Sequence, residues 1–464
     1  MQALIRRLLD SDTARRRGLA LYLATVALAV AGIASTWDPA YATVIFVAIV
    51  GLCLLTAVPV WPIAGLLVYV GVVHGFPRYT IGVEYVFAHF VPELIAGLTA
   101  AGTVLWIARQ RDNAPKTNHT PGALMLCFVG WSLLSAAYCL LTSDNWLDLP
   151  ATFDLKHHPG RLVNAGLLMF TAAVATRSRR DLHTFALFAG ALLISKWVLF
   201  AAEIKLRPAD FAGLSVILLP LCLAVATAAE TRRLRLAGTA ISIALVVLVF
   251  AAANRGAIIA LVIVSLVMLA QFRSRRHMLL IALPLLAVAV IGLQTSGAIQ
   301  RFERLLDDGP TAADAGVYER IALWRAAPRV IGEHWFIGVG PGRSPTYLAQ
   351  YTPATLNSDY AVHNNFLAVA AELGLPGLLL YCALYGSVLV LMWQKGRTSV
   401  RHWPAPEARA LAAGIVAYLA VGMFITRHDQ ALPYILLGFA IAVSGHFPHH
   451  GRDPCAGLVG SGGR

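Results

Sequence analysis

The feature that most limits how this chain can fold is a series of long apolar runs separated by short basic blocks. The runs fall near 18–35, 40–58, 61–73, 86–108, 121–142, 161–176, 182–202, 211–229, 236–253, 256–272, 278–296, 365–393, 407–426 and 431–446. A bilayer is crossed by a helix of ~20 apolar residues, and most of these runs reach that length. Hydrophobic residues make up 58% of the chain and charged residues 13%, with a mean hydropathy of +0.68, which is the composition of a membrane protein. The run at 61–73 is short for a full crossing and that at 431–446 is marginal, so about 12–14 spans are expected.

The basic blocks set the topology. They are Arg15–Arg17, Arg109/Arg111/Lys116, Arg177/Arg179/Arg180, Arg232/Arg233/Arg235, Arg273/Arg275/Arg276 and Lys395/Arg397/Arg401, and pairs of apolar runs separate them. Positively charged loops stay cytoplasmic, so both termini are expected inside and the number of spans even. The net charge of +13 is then a topology signal and not a nucleic-acid footprint. Arg6, Arg7 and Arg15–Arg17 precede an apolar run without a small-residue cleavage site, which reads as a first span. Cys53, Cys127, Cys139, Cys222 and Cys382 lie in or beside apolar runs and Cys455 is in the tail, with no metal-ligand spacing.

This reading divides the chain into N-terminal spans (1–296), an external loop domain (297–362), C-terminal spans (363–446) and a disordered cytoplasmic tail (447–464). The apolar stretch 236–272 has basic blocks at both ends and is broken only by Asn254-Arg255-Gly256. Two spans joined by a tight turn on the outer side are required, and that turn carries Arg255. In the large loop, Gln300–Leu306 and Val317–Ile331 have helical apolar spacing, with Ile321, Trp324 and Val330 on the repeating positions. His334–Ser344, HWFIGVGPGRS, follows as a turn whose glycines permit positive φ or close backbone approach. It lacks the lysine and the strand of a nucleotide phosphate loop. His446, His449 and His450 read as a solvated tail, not a metal site.

The candidate site residues lie on the outer side. His363 stands where the polar loop gives way to an apolar helix. Asn364 and Asn365 are suited to cap that helix, and Glu372 lies within it. Gly374, Pro376 and Gly377 interrupt the helix before it resumes as Leu378–Trp393. An imidazole at the mouth of a span is either a proton acceptor facing water or an interfacial capping residue. Basic residues on this side oppose the charge bias: Arg161, Lys205, Arg207, Arg255, Arg320, Arg325, Arg329 and Arg343. Snorkelling to lipid headgroups accounts for any one of them. A convergent set would instead bind an anion, since guanidinium stays charged and grips phosphate oxygens in a fork. An anion that is embedded in the membrane and presented outside is a polyprenyl diphosphate.

With those residues in view, the chain resembles the O-antigen ligase/polymerase superfamily of bacterial inner-membrane glycosyltransferases. The resemblance rests on Asn254-Arg255-Gly256 opening a span, and on YERIALWRAAPRVIGEHWFIGVGPG (318–342) ahead of HNNFLAVAAELGLPG (363–377). The family pattern of a histidine, then Asn or Ser, then a helix with an acid and two glycines is met by His363, Asn364, Leu367, Glu372, Gly374 and Gly377. LRPADFAGLSVILLPL (206–221) resembles the family's arginine-then-span segment, although Asp210 stands where many members have Asn.

The resemblance implies an all-α, polytopic, GT-C-like membrane protein that transfers a glycan from undecaprenyl diphosphate. The acceptor in the ligase branch is a sugar hydroxyl of lipid A–core, reached from the periplasmic face of the inner membrane. His363 would be the base, and Arg255, Arg207 and Arg161 would hold the diphosphate. Arg320 and Asn364 would support them, with a structural salt bridge as the alternative for Arg320. Glu372 would orient the histidine region unless, as its spacing favours, it is a buried partner for another polar group. Transfer would invert the anomeric carbon without metal or cofactor, the arginines standing in for a cation. Beside the ligase stand a polymerase of repeat units and a protein O-oligosaccharyltransferase. From another class, a secondary transporter would account for spans and an intramembrane Glu372, but no inverted repeat is evident.

Overall fold

The computed structural model of the chain describes residues 54, 58, 61–75, 91–109, 119–142, 159–201, 208–252, 254–271, 315–352, 361–398, 404–426, 428 and 430–445. The runs at 18–35, 40–58 (save Leu54 and Val58) and 278–296, the helix expected at Gln300–Leu306, Arg207 and the tail from 447 lie outside those residues. In chain order the described helices are α1 (Ile63–Gly75), α2 (Val91–Arg109), α3 (His119–Thr142), α4 (Pro159–Ala175), α5 (Arg179–Ala201), α6 (Pro208–Ala228) and α7 (Arg232–Ala251). They continue as α8 (Arg255–Gln271), α9 (Ala315–Glu333), the short α10 (Ser344–Ala349), α11 (Asn365–Thr398), α12 (Ala405–Gly422) and α13 (Ala431–Gly445). The described residues contain no strand.

Among the described residues, four helices are long and apolar enough to cross a membrane: α3, α6, α7 and α11. α1, α2, α4, α8 and α13 are apolar over shorter stretches. In an apolar solvent backbone groups must pair within the segment, so helices are the form such runs take. The side-chain hydroxyls obey the same rule. Ser215, Ser242 and Ser265 each donate 2.7 Å bonds to the carbonyl four residues back, on Phe211, Gly238 and Leu261. Large apolar side chains meanwhile point outward, with Leu126 76%, Leu141 87% and Leu379 69% exposed, as expected of faces solvated by lipid.

Small residues bring the helix backbones together. A Cβ on Gly438 of α13 would fall 2.2 Å from the Met169 carbonyl oxygen of α4, and one on Gly238 of α7 would fall 2.7 Å from the Ala226 nitrogen of α6. Such contacts stand in for the hydrophobic drive that is missing between helices in lipid.

Contacts at the helix termini sort the bundle into two ends. At one, Arg180 pairs with Glu230 at 2.9 Å and Arg179 Nη1 donates to the Ala228 carbonyl at 2.9 Å. The same Arg179 reaches the fully buried Glu407 with Nε 2.8 Å from Oε1, where His183 Nε2 also lies at 3.2 Å. Arg177 covers the Trp106 ring at 4.2 Å, and Gly396 packs on Arg409. The end of α2, the starts of α5, α7 and α12 and the ends of α6 and α11 therefore share this basic end. It holds three of the blocks expected in the cytoplasm, Arg177/Arg179/Arg180, Arg232/Arg233/Arg235 and Lys395/Arg397.

The opposite end holds the end of α3, the starts of α8 and α11, the end of α12, and α9 with α10. Leu323, Ala326, Ala327 and Val330 of α9 join Val339, Leu348 and Val362 in a small apolar core of their own. Ala368 and Ala371 of α11 complete it, so the loop segment is built onto the first part of α11.

Candidate functional site

α11 is two helices joined at a break. Gly374 has φ 69° and ψ −177°, and the helical path resumes through Pro376, at the point where Gly374, Pro376 and Gly377 predict an interruption. A break inside an apolar helix strands carbonyls, and here the loop of residues 335–340 takes them up. Val339 N–H donates to Ala371 O at 2.9 Å, Gly340 N–H to Glu372 O at 3.0 Å, and Leu375 N–H to Trp335 O at 2.7 Å. From α3, Trp131 Nε1 donates to Leu373 O at 2.8 Å and Ser135 Oγ to Glu372 O at 3.3 Å. The loop glycines make this docking possible. Gly338, at φ 79°, has room for no Cβ, since one would lie 2.2 Å from Glu372 O.

The first half of α11, Asn365–Leu373, is thus a short rigid helix gripped at both ends. At its start Asn364 Oδ1 accepts from Phe366 N–H at 2.9 Å and Leu367 N–H at 3.1 Å, the cap expected of that residue. Asn365 is buried and its Nδ2 donates to Tyr418 Oη of α12 at 3.2 Å. Just upstream, Trp324 Nε1 of α9 donates to Val362 O at 2.8 Å. Between those two anchors stands His363, half-buried, with φ 50°, the one positive-φ residue other than glycine among the described residues. That conformation costs an L-residue roughly 1–2 kcal/mol, and histidine with Asn and Asp tolerates it best. His363 is therefore held in a backbone geometry imposed by its neighbours.

Arg255 opens α8 directly after Asn254, whose Oδ1 accepts from Ala257 N–H at 3.0 Å. The tight turn expected there is present, with α7 ending at Ala251. Gly256 packs on the Phe424 ring just past α12, a Cβ there falling 2.8 Å from Phe424 Cβ. Two residues earlier, Gly422 packs on Asn365, a Cβ falling 2.5 Å from its Nδ2. The starts of α8 and α11 thus meet the two sides of the end of α12. Arg320 of α9 is close enough to Arg255 to feel its charge. Burial holds its guanidinium below the ordinary arginine value, Glu319 offsets part of this, and Arg255 lowers it again. The carboxylate of Glu372 accepts from Ser344 Oγ at 2.7 Å through Oε1, and its Oε2 lies 3.4 Å from His428 Nε2.

Of the residues singled out in the sequence, Arg255, Arg320, His363, Asn364 and Glu372 lie at one end of the bundle. Arg161 is half-buried in the first turn of α4, whose principal neighbours are α2, α3 and α13. Arg207 falls just outside the described residues, ahead of α6. Sequence reasoning passed over Tyr418, Ser344 and His428. The first is one tyrosine in an apolar span and gives no signal, whereas His428 interrupts two apolar runs in ITRHDQ (425–430) and was legible as a polar residue at a helix boundary.

Residues 240–382, from within α7 to just past the break in α11, match the family described as O-Antigen ligase. Over that segment the chain is similar to O-antigen ligases. The matched segment includes Arg255, Arg320, His363, Asn364 and Glu372 and excludes Arg161 and Arg207. No curated protein matches the chain. Among the described residues the chain is helical throughout its regular structure, with four helices long and apolar enough to cross a membrane.

Proposed function

We propose that the protein is a ligase that moves a glycan from undecaprenyl diphosphate to a sugar hydroxyl of lipid A–core, on the periplasmic side of the inner membrane. The observation that carries this reading is the packing of the starts of α8 and α11 against the end of α12, through Gly256–Phe424 and Gly422–Asn365. It supports a single outer pocket with Arg255 on one wall and His363 on another. In the proposed reaction the neutral imidazole of His363 takes the proton of the acceptor hydroxyl. The freed oxygen attacks the anomeric carbon as the carbon–oxygen bond to the diphosphate breaks, and the configuration inverts. Lipid diphosphate leaves as an anion, its growing charge met by Arg255, with Arg207 and Arg161 completing the grip and Arg320 adding field from α9. No cation is needed in this scheme because the guanidinium groups carry its role.

The experiment is transfer by the purified protein in liposomes, given labelled lipid-linked glycan and lipid A–core. Label on lipid A–core supports the ligase, whereas label chased only into longer lipid-linked chains assigns a polymerase. Uptake of the donor without any glycosyl transfer assigns a transporter.

A further inference from the structure

The link between α12 and α13 touches both walls of the proposed pocket. Phe424 fills the space above Gly256, next to Arg255, at the start of α8. Four residues on, His428 is buried (1% exposed) with Nε2 3.4 Å from Oε2 of Glu372, itself 2% exposed. Glu372 lies in the last turn of the first half of α11, the half-helix that has His363 just ahead of its other end. Because Gly374 breaks α11, the second half of the helix cannot hold the first half in place through continuous hydrogen bonding. The half-helix is instead fixed by what grips it: Asn365 on Tyr418, the carbonyls of residues 371–373, and the Glu372 carboxylate. Asn365 reaches α12 through Tyr418 and Gly422, and the Glu372 carboxylate reaches the link beyond it, which also packs on the Arg255 helix. Ser344 Oγ donates to the other carboxylate oxygen at 2.7 Å, so the same side chain also fastens the loop of residues 334–344. The backbone of His428 is fixed in turn, its carbonyl accepting from Tyr434 Oη of α13 at 2.7 Å.

From this juxtaposition we infer that His428 is a positioning residue: through Glu372 it sets the half-helix carrying His363 in register with the helix that starts at Arg255. The inference rests on the glycosyl-transfer reading above and adds to it a residue that touches neither donor nor acceptor. Its consequence is kinetic. Loss of the contact leaves the arginine wall intact, so donor binding is retained, while the imidazole is displaced from the acceptor hydroxyl. A displacement of about 1 Å at a reacting centre is enough to lower turnover on the order of 10²-fold.

The test uses the full-length protein in liposomes with labelled lipid-linked glycan. His428→Leu is expected to lower kcat about 10²-fold with the donor KM within about threefold of wild type. His428→Leu combined with Glu372→Gln removes the carboxylate charge that has lost its His428 contact but keeps an acceptor for Ser344. If the pair only stabilises the fold, this double variant recovers turnover together with its melting temperature. If the pair positions the site, melting recovers and kcat stays low, which is the expected result. Recovered kcat, undiminished kcat in His428→Leu, or a kcat loss that merely tracks lost folded protein each overturns the proposal. His363→Asn is run alongside: retained transfer there removes the glycosyl-transfer reading itself, a different outcome from failure at His428.

Discussion

At the scale of single residues, His363 meets two demands in the proposed reaction, a left-handed backbone and an imidazole in the right place. Alanine would disturb both, whereas His363→Asn keeps a residue type that accepts φ near 50° and removes only the proposed base. Arg255→Lys keeps the charge but loses the planar fork, so transfer is expected to fall at least about tenfold with an unchanged melting temperature. Full activity of that variant would reduce Arg255 to a headgroup anchor. The capping role of Asn364 is separable from chemistry: Asn364→Ala removes two N–H bonds at the helix start and is expected to cost about 1 kcal/mol in thermal or denaturant unfolding. The Asn364 cap was readable in the sequence because residue type and chain position both pointed to it, and the same two signals mark His363 and Arg255 as candidates. Glu372 was readable only as a buried polar group. Its partners Ser344 and His428 are 28 and 56 positions away in number, and nothing in local periodicity brings such groups together.

At the scale of elements, the decisive unit is the broken helix with the glycine loop fitted into it. The sequence shows the break, since Gly374, Pro376 and Gly377 cannot continue an apolar helix unmarked. It also shows that HWFIGVGPGRS turns. That one fills the hydrogen-bonding gap of the other is a tertiary fact, visible only when Val339 and Gly340 are seen donating to Ala371 and Glu372. Gly374→Ala would meet both a φ of 69° and a Cβ 2.2 Å from Phe336 O. A destabilisation of about 2–4 kcal/mol is expected, read as lost folded protein in detergent before any effect on chemistry. Wild-type stability of Gly374→Ala would mean that the loop does not seat as described. The turn at Asn254-Arg255-Gly256, by contrast, follows from charge alone, because equal signs flanking 236–272 demand an even crossing.

At the scale of the whole molecule, alternating apolar runs and basic blocks were enough to anticipate a helical bundle with two unlike ends. The contacts Arg180–Glu230 and Arg179–Glu407 gather several of those blocks together. Glu407, fully buried, lies at that end and away from His363. Glu407→Ala leaves Arg179 and His183 without this carboxylate. A stability loss of about 3–5 kcal/mol is expected, with transfer per folded molecule close to wild type. Reduced turnover in the folded fraction would mean that the two ends are coupled. Which helices gather around the end that holds His363 was not legible, because that depends on small-residue contacts such as Gly422 on Asn365 that leave no periodic trace.

The proposed function requires that one imidazole, just ahead of α11, does chemistry on a glycan. Transfer of labelled glycan to lipid A–core by purified His363→Asn in liposomes tests it most directly. The expected result is product at background with wild-type melting; product near the wild-type rate from the same folded protein contradicts it.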